Sequence, residues 1–251
     1  MLTEKQIIEN FKNIKIKENF IIIHSDITGL FFKNFSIEKL WKIIKKGLGG
    51  NKTFIFPTFT FNNKNNSWSY KKSKSESGAL SEYFRKKVAV RRTIHPIHSV
   101  AIYGKNQSKV PNHNSKSSFG KGSTWEWLCK SKDVCNLALG LNLHGGGTFC
   151  HYSEEKNKIS YREFKSLRLS IKGKNDKVIK KSFSYFSRNQ KIKNNWNRCE
   201  KDLINQKLLK KIRFKENNYI IIKMNTYKVT KFILKKIKED NYYLTNKKLP
   251  S

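Results

Sequence analysis

Three side chains that could move a proton follow one another at three-residue intervals: Thr148, His151 and Glu154. At helical spacing these side chains would lie on one face, with the carboxylate next to the imidazole. A carboxylate fixes the tautomer of the ring and stabilises its charged form, as a general base near neutral pH requires. We predict His151 as that base, with an ordinary pKa of about 6.5. Glu154 would orient it, and Thr148 would donate to a developing oxyanion.

A glycine-rich segment leads into these residues, because Gly145, Gly146 and Gly147 directly precede Thr148. Glycine lacks a Cβ atom, so its backbone can approach a ligand closely and its amide groups can bind an anion. We therefore expect Gly146 and Gly147 to contact the substrate. Cys150 lies among apolar and aromatic neighbours, so the sequence favours a histidine base over a cysteine nucleophile.

A second group of polar residues lies in the segment 91–99, which reads RRTIHPIHS. Proline restricts the residue before it to extended geometry, so the two histidines should lie on a rigid loop that enters a strand. A zinc site is the alternative interpretation, and its ligands would be His95, His98, His144, His151 and Glu154. Because the sequence has no HExxH motif and no paired cysteine spacing, we predict no metal.

Two further polar groups follow predicted strands. The segment 24–26 (His-Ser-Asp) ends one apolar run, and Thr58 and Thr60 follow another. A predicted helix over 36–48 separates the two runs. Such a strand–helix–strand unit gives parallel strands, whose C-terminal ends meet at one edge of the sheet. The polar groups should therefore share one crevice.

The remaining pattern predicts a single domain, 1–251, of α/β class, with a mixed β-sheet flanked by helices. Further helices are expected at 3–14, 78–87, from 123, 199–212 and 229–237, and further strands at 99–103, 134–139 and 219–222. The segment 62–77 is polar and is expected to be a mobile loop without secondary structure. Residues 160–251 should form a basic C-terminal extension of the same domain, beginning with a hairpin over 167–186.

Together these segments resemble the aminoglycoside N3-acetyltransferase family, the antibiotic N-acetyltransferases. The matching stretches span about residues 20–155 and occur in the order IIIHSDITGL, TFIFPTFTF, SGALSEYFR, RRTIHPIHSVAIYG, SSFGKGSTWEWL and LALGLNLHGGGTFCHYSEE. One position departs from the family pattern: after His24 and Ser25, Asp26 stands where the family usually has a second serine.

The resemblance implies an α/β fold unrelated to the common GNAT fold, acetyl-CoA as the acetyl donor, and His151 with Glu154 at the chemical step. It also implies that coenzyme A lies along two segments, whose contact residues would be His24, Ser25, Asp26, Arg92, His95, His98 and Ser99. Thr58 and Thr60, with the two glycines named above, are the expected substrate contacts.

The net charge of +35 bears on the acceptor. Aminoglycosides are polycations, and a strongly positive protein repels them. We therefore expect N-acetylation of an amino sugar, with one carried on a nucleotide diphosphate as a specific hypothesis. An aminoglycoside acceptor, as in antibiotic resistance, remains the alternative. The 53 basic residues include only 8 arginines, a lysine excess that is also typical of compositional bias.

Other classes of protein are less consistent with the sequence. No apolar run approaches the ~20 residues of a membrane span, and the N-terminus begins an amphipathic helix, so a cytoplasmic protein is expected. The four cysteines form no CxxC pair. A nucleic-acid-binding protein would suit the charge, but no RNP, KH or helix-turn-helix signature is present. The sequence is compatible with a homodimer.

Overall fold

A seven-stranded mixed sheet forms the centre of the protein, and a three-stranded sheet accompanies it. The computed structural model describes residues 2–63 and 66–246. The helices there are α1 (Glu4–Lys12), α2 (Ile37–Leu48), α3 (Ala79–Lys87), α4 (Thr124–Lys130), α5 (Leu143–Gly146), α6 (His151–Lys156), α7 (Asn197–Asn205) and α8 (Thr226–Glu239). The strands are β1 (Phe20–Ser25), β2 (Thr53–Pro57), β3 (Ser67–Ser69), β4 (Arg91–Arg92), β5 (Val100–Gly104), β6 (Val134–Leu139), β7 (Arg162–Lys172), β8 (Val178–Arg188), β9 (Leu209–Arg213) and β10 (Ile220–Asn225).

The larger sheet has the strand order β4-β5-β2-β1-β6-β10-β9. Its strand β1 is parallel to both neighbours, β2 and β6, and the other pairs are antiparallel. The predicted strand–helix–strand unit is therefore confirmed, and so is the mixed α/β class.

Alternate residues of the central strands pack into two hydrophobic cores, one on each face of the sheet. In β1, Ile21 and Ile23 belong to the core formed with α1, α2 and α3. Phe20 and Ile22 belong to the core formed with α4, α7 and α8. The helix α2 begins where the sequence predicts, because the Ser36 hydroxyl accepts a hydrogen bond from its first turn.

Two regions differ from the sequence-based expectation. The polar segment 62–77 contains β3, which pairs with β7 because Trp68 packs against Leu169 and Ile171. The helix predicted over 199–212 ends at Asn205, and the chain turns at Lys207, whose φ is +57°, before it enters β9. A lysine in this left-handed conformation cannot continue a right-handed helix.

The strands β7 and β8 form a long hairpin, paired from Arg162 opposite Arg188 to Lys172 opposite Val178. Because α6 ends at Lys156, the hairpin begins close along the chain to the helix that carries the predicted base. Among the described residues, no helix is both long enough and apolar enough to cross a membrane.

Candidate active site

A cleft of about 270 Å³ opens at the C-terminal ends of β1 and β2, where the sequence predicts a shared crevice. Its lining residues come from β1, the end of β2, the start of α3, and the segment 141–148; they include His24, Ser25, Phe59, Phe61, Ser81 and Thr148. Three buried polar atoms in this lining have no hydrogen-bond partner among the described residues: His24 Nε2, Ser25 Oγ and Ser81 Oγ. Unpaired buried polar atoms are costly, so the cleft is suited to a ligand that supplies partners for them.

His151 is the first residue of α6 and follows the turn that carries Thr148. Its Nδ1 is hydrogen-bonded to Glu154 Oε2, and its side chain is 24% exposed. Arg162 Nη2 also lies 3.3 Å from Nδ1. Because the carboxylate is the nearer partner and can only accept, we assign the hydrogen to Nδ1, which leaves Nε2 as the acceptor. No described residue forms a hydrogen bond with Nε2. The ring therefore has the tautomer and the access that a general base needs.

Glu154 is fully buried and is held by two further side chains that the sequence analysis did not identify. Tyr161 Oη donates to its Oε1 at 2.7 Å, and Arg162 Nη2 lies 3.1 Å from Oε2. Both residues lie after the turn that follows α6. No spacing rule connects them with Glu154, because the return of the chain depends on the fold.

Charge and burial set the protonation states of this group. Burial alone would raise the pKa of Glu154, but the interactions with His151, Arg162 and Tyr161 outweigh it and hold this pKa well below the ordinary value. Burial lowers the pKa of His151, and Arg162 acts in the same direction against the opposing effect of Glu154. The pKa of His151 is thus below the expected 6.5, and the ring is neutral near pH 7.

Thr148 is half-buried and lines the cleft. It lies in a 3₁₀ turn, Thr148–Cys150, and the α-helix begins only at His151. The common helical face predicted for three residues therefore applies to His151 and Glu154. The adjacent Cys150 thiol is buried, which raises its pKa well above the ordinary value. A thiol kept protonated in this way is a poor nucleophile.

Aromatic rings surround the imidazole of His151. The ring of Phe119 lies 5.9 Å from that of His151, and the ring of Trp196 lies 5.2 Å from it. The ring of His98 lies 5.0 Å from that of Phe119, tilted by 52°, and 5.0 Å from that of Phe59 in the cleft lining. Trp196 is distant in sequence from every motif, so only the fold shows that it belongs to the site.

The remaining residues of the first predicted coenzyme A segment divide between two places. Burial lowers the pKa of His24 to about 3, so this ring is neutral in the cleft wall. Asp26 lies outside this cleft. Its carboxylate accepts from Thr28 N at 3.0 Å and from Thr28 Oγ1 at 2.7 Å, in a local turn beside a neighbouring pocket.

Arg92 is buried and has its donors engaged within the protein. Its Nε contacts Thr58 Oγ1 at 3.2 Å and Ser99 Oγ at 3.1 Å, and its Nη2 contacts Thr60 Oγ1 at 3.2 Å. Nη1 donates to Ser73 O at 2.7 Å. These polar groups tie the segment after β2 to the sheet. Because they satisfy one another, this arrangement gives no support to the predicted ligand contacts of Arg92, Ser99, Thr58 and Thr60.

His95 is fully buried and does not line the cleft. Its Nδ1 accepts from His98 N at 3.1 Å, and its ring lies 4.7 Å from that of His113, a third buried histidine. Burial lowers the pKa of His95 well below the ordinary value. Within residues 2–63 and 66–246, no group of three or more His, Cys, Asp or Glu side chains is arranged to hold a metal ion.

The glycines pack against the sheet. Gly145 and Gly146 belong to α5, and their amide groups donate to Asn142 Oδ1 and Asn142 O, both at 2.9 Å. A Cβ atom on Gly146 would overlap that of Ala138 in β6, and one on Gly147 would overlap a backbone carbonyl of α5. The first two amides are therefore engaged, and the predicted substrate contacts of Gly146 and Gly147 find no support in this geometry.

This fold is that of the antibiotic acetyltransferases. YokD from Bacillus subtilis is similar at a TM-score of 0.76 and 15% identity, over 95% of this chain and 100% of that chain. AAC-VIa with bound sisomicin is similar at 0.79 and 12%, over 95% and 98%. The AAC(3)-IVa apoenzyme is similar at 0.75 and 15%, over 96% and 90%. Identities this low establish the fold alone.

The sequence establishes the family. Residues 22–234 match the aminoglycoside 3-N-acetyltransferase family, and the chain belongs to it. The predicted resemblance is confirmed, and the protein is an N-acetyltransferase. Comparison with curated proteins finds no significant match.

Proposed function

We propose that the protein transfers the acetyl group of acetyl-CoA to the amine of an amino sugar, with His151 as general base. One observation carries this proposal: a buried carboxylate fixes Nδ1 of a partly exposed imidazole, and no described residue is hydrogen-bonded to Nε2. The three unpartnered polar atoms of the cleft support the donor. A linear thioester arm with amide groups would fill the cleft and satisfy them.

His151 Nε2 accepts a proton from the acceptor amine as the amine nitrogen bonds to the thioester carbonyl carbon. Glu154 stabilises the resulting imidazolium, and Arg162 keeps Glu154 ionised. Thr148 would donate a hydrogen bond to the carbonyl oxygen while that oxygen carries negative charge. When the carbon–sulfur bond breaks, His151 returns the proton to the departing thiolate.

Charge guides the choice of acceptor. Among the residues that line the cleft only Glu76 has a carboxylate, and this carboxylate accepts from the amides of Phe61 and Asn62, both at 3.0 Å. The net charge of +35 would repel a polycationic drug. This supports a neutral or anionic amino sugar over an aminoglycoside, although AAC-VIa has been solved with sisomicin bound.

The test is a thiol-release assay with acetyl-CoA and two panels of acceptors, aminoglycosides and nucleotide-linked amino sugars. We expect turnover with the second panel, and a rate about 10²–10⁴-fold lower for His151→Ala with nearly unchanged binding of acetyl-CoA. Full activity of His151→Ala would remove this residue from the base role. Efficient turnover of aminoglycosides would overturn the choice of acceptor.

A further inference from the structure

A second pocket, of about 590 Å³, opens beside α6 and is not used by the chemistry proposed above. Its lining includes the aromatic residues Phe119 and Phe164, the buried Glu155, and the lysines Lys121, Lys156 and Lys158. The lining also contains Glu126, so it combines aromatic rings and ammonium groups with two carboxylates, unlike the first cleft or an ordinary apolar cavity.

The pocket adjoins the base. His151 and Glu155 are four residues apart on α6, so they lie on one face of the helix, separated by roughly 6 Å along its axis. Phe119 lines the pocket, and its ring is 5.9 Å from that of His151. One end of a ligand in this pocket would therefore lie near the imidazole.

Glu155 indicates that the pocket takes a ligand. The residue is 7% exposed, its Oε1 accepts from Ser117 Oγ, and its Oε2 has no hydrogen-bond partner among the described residues. An unpaired buried carboxylate oxygen is costly unless a bound group donates to it. A hydroxyl or an exocyclic amine of a ligand would meet this need.

The lysines indicate that a ligand of this pocket is anionic. Lys121, Lys156 and Lys158 are exposed, and no carboxylate of the described residues lies within ion-pair distance of any of them. Lys130, also in the lining, is paired with Glu126 at 2.7 Å and is thus neutralised. Three unpaired ammonium groups on one rim are suited to phosphate oxygens.

The aromatic residues indicate that part of the ligand is planar. Phe164 is 53% exposed and stands at the start of the β7–β8 hairpin, supported by Phe186 at 4.8 Å between ring centroids. An exposed ring held in place by a second ring offers a face on which a planar base can stack.

We propose that this pocket binds a nucleotide: its phosphates contact the three lysines, its base stacks on Phe164, and it donates a hydrogen bond to Glu155. This rests on the proposed function and deepens it, because the nucleotide would belong to a nucleotide-linked amino-sugar acceptor. The adenosine bisphosphate end of the donor has the same chemistry, and the experiment distinguishes the two sources.

The experiment is calorimetric titration of the whole protein with uridine diphosphate and, separately, with adenosine 3′,5′-bisphosphate, in moderate salt. We expect the variant Lys156→Ala/Lys158→Ala to bind uridine diphosphate at least about tenfold more weakly. Phe164→Ala should also weaken binding, and this exposed side chain can be removed without opening the core. The matched control is Lys5→Ala/Lys12→Ala, which removes two exposed charges from α1 and should change the affinity less than about twofold.

An equal loss in the control variant, or affinities for both nucleotides that the pocket variants leave unchanged, would overturn the proposal. A loss restricted to adenosine 3′,5′-bisphosphate would keep the nucleotide site but assign it to the donor. Because calorimetry needs no turnover, the two proposals can fail separately. Nucleotide binding that persists while no amino sugar is acetylated would refute the proposed function and leave the pocket standing.

Discussion

Replacing Glu154 with glutamine tests the proposed base most directly. In the native protein the carboxylate accepts from Nδ1 of His151, which leaves Nε2 free to take a proton. A glutamine can present its NH₂ group to Nδ1, and the imidazole then carries its hydrogen on Nε2. A ring in that tautomer cannot accept a proton from the amine.

The size of the effect follows from the geometry. A base held in the wrong tautomer, without its stabilising carboxylate, should lower kcat by about 10²–10⁴-fold. This corresponds to roughly 3–5 kcal/mol in the activation free energy. The substitution also leaves Arg162, whose side chain is 9% exposed, without its ion-pair partner. Breaking a buried ion pair from one side typically costs about 3–5 kcal/mol in the free energy of unfolding.

A control must distinguish the loss of the general base from a loss of folding stability. The double variant Glu154→Gln/Arg162→Gln removes both buried charges, so it should recover part of the free energy of unfolding without recovering kcat. The single variant Arg162→Gln leaves the carboxylate in place. Because Arg162 lowers the pKa of His151, its removal should move the acid limb of the kcat/KM profile to higher pH.

The assays are urea unfolding and steady-state thiol release between pH 5 and 8, for all three variants. In the native protein, activity should fall as the pH drops through the pKa of His151, which lies below 6.5, because the protonated ring cannot act as a base. If Glu154→Gln kept native kcat, or Arg162→Gln left the acid limb unmoved, the assigned electrostatics would be wrong.

Four shorter tests address other residues. Thr148→Ala should lower kcat by about 10²–10³-fold and Thr148→Ser should restore most of it, and an unaffected rate would remove the oxyanion role. Arg92→Gln should lower the free energy of unfolding by about 3 kcal/mol or more and leave the KM for acetyl-CoA unchanged. The control Arg91→Gln, at the half-buried neighbouring residue, should lower the free energy of unfolding by less. A raised KM in Arg92→Gln would restore Arg92 as a ligand contact. Burial lowers the pKa of His113 to about 4, so only the unfolded chain binds a proton between pH 6.5 and 4, and stability is lost as the pH falls through that window. His113→Leu should therefore reduce the loss of unfolding free energy between pH 7 and 5 by about 2 kcal/mol, measured by urea titration at each pH, and an unchanged loss would contradict this. Cys150→Ala should keep native kcat without an acetyl-enzyme burst in rapid-quench experiments, and a large loss would revive the covalent route.

The sequence predicted the first strand–helix–strand unit well because its signals are local. Continuous apolar runs form β1 and β2, and Ser36 caps the helix between them. The pairing of β3 with β7 could not be predicted in the same way. It depends on Trp68 meeting a hydrophobic cluster about a hundred residues away in the chain.

The site likewise contains features that depend on local sequence and features that depend on distant parts of the chain. The spacing of His151 and Glu154 places them on one helical turn, and the structure shows the hydrogen bond between them. Arg162 reaches the same carboxylate only because the chain reverses after α6. Arg92 shows the opposite difficulty, since an arginine beside a histidine motif can point to a ligand or into the protein. Its sequence neighbours do not determine which, and here it points inward.

Because Arg162 is the first residue of β7, the charges around His151 and Glu154 depend on the hairpin as well as on the central sheet. A local opening that lifted the first residues of β7 would withdraw a cation from Glu154 while the seven-stranded sheet stayed folded. The pKa of His151 would then rise whenever this strand end opened. In the proposed mechanism, activity would fall with the fraction of time in which this strand end is open, and amide hydrogen exchange at that end would measure the opening.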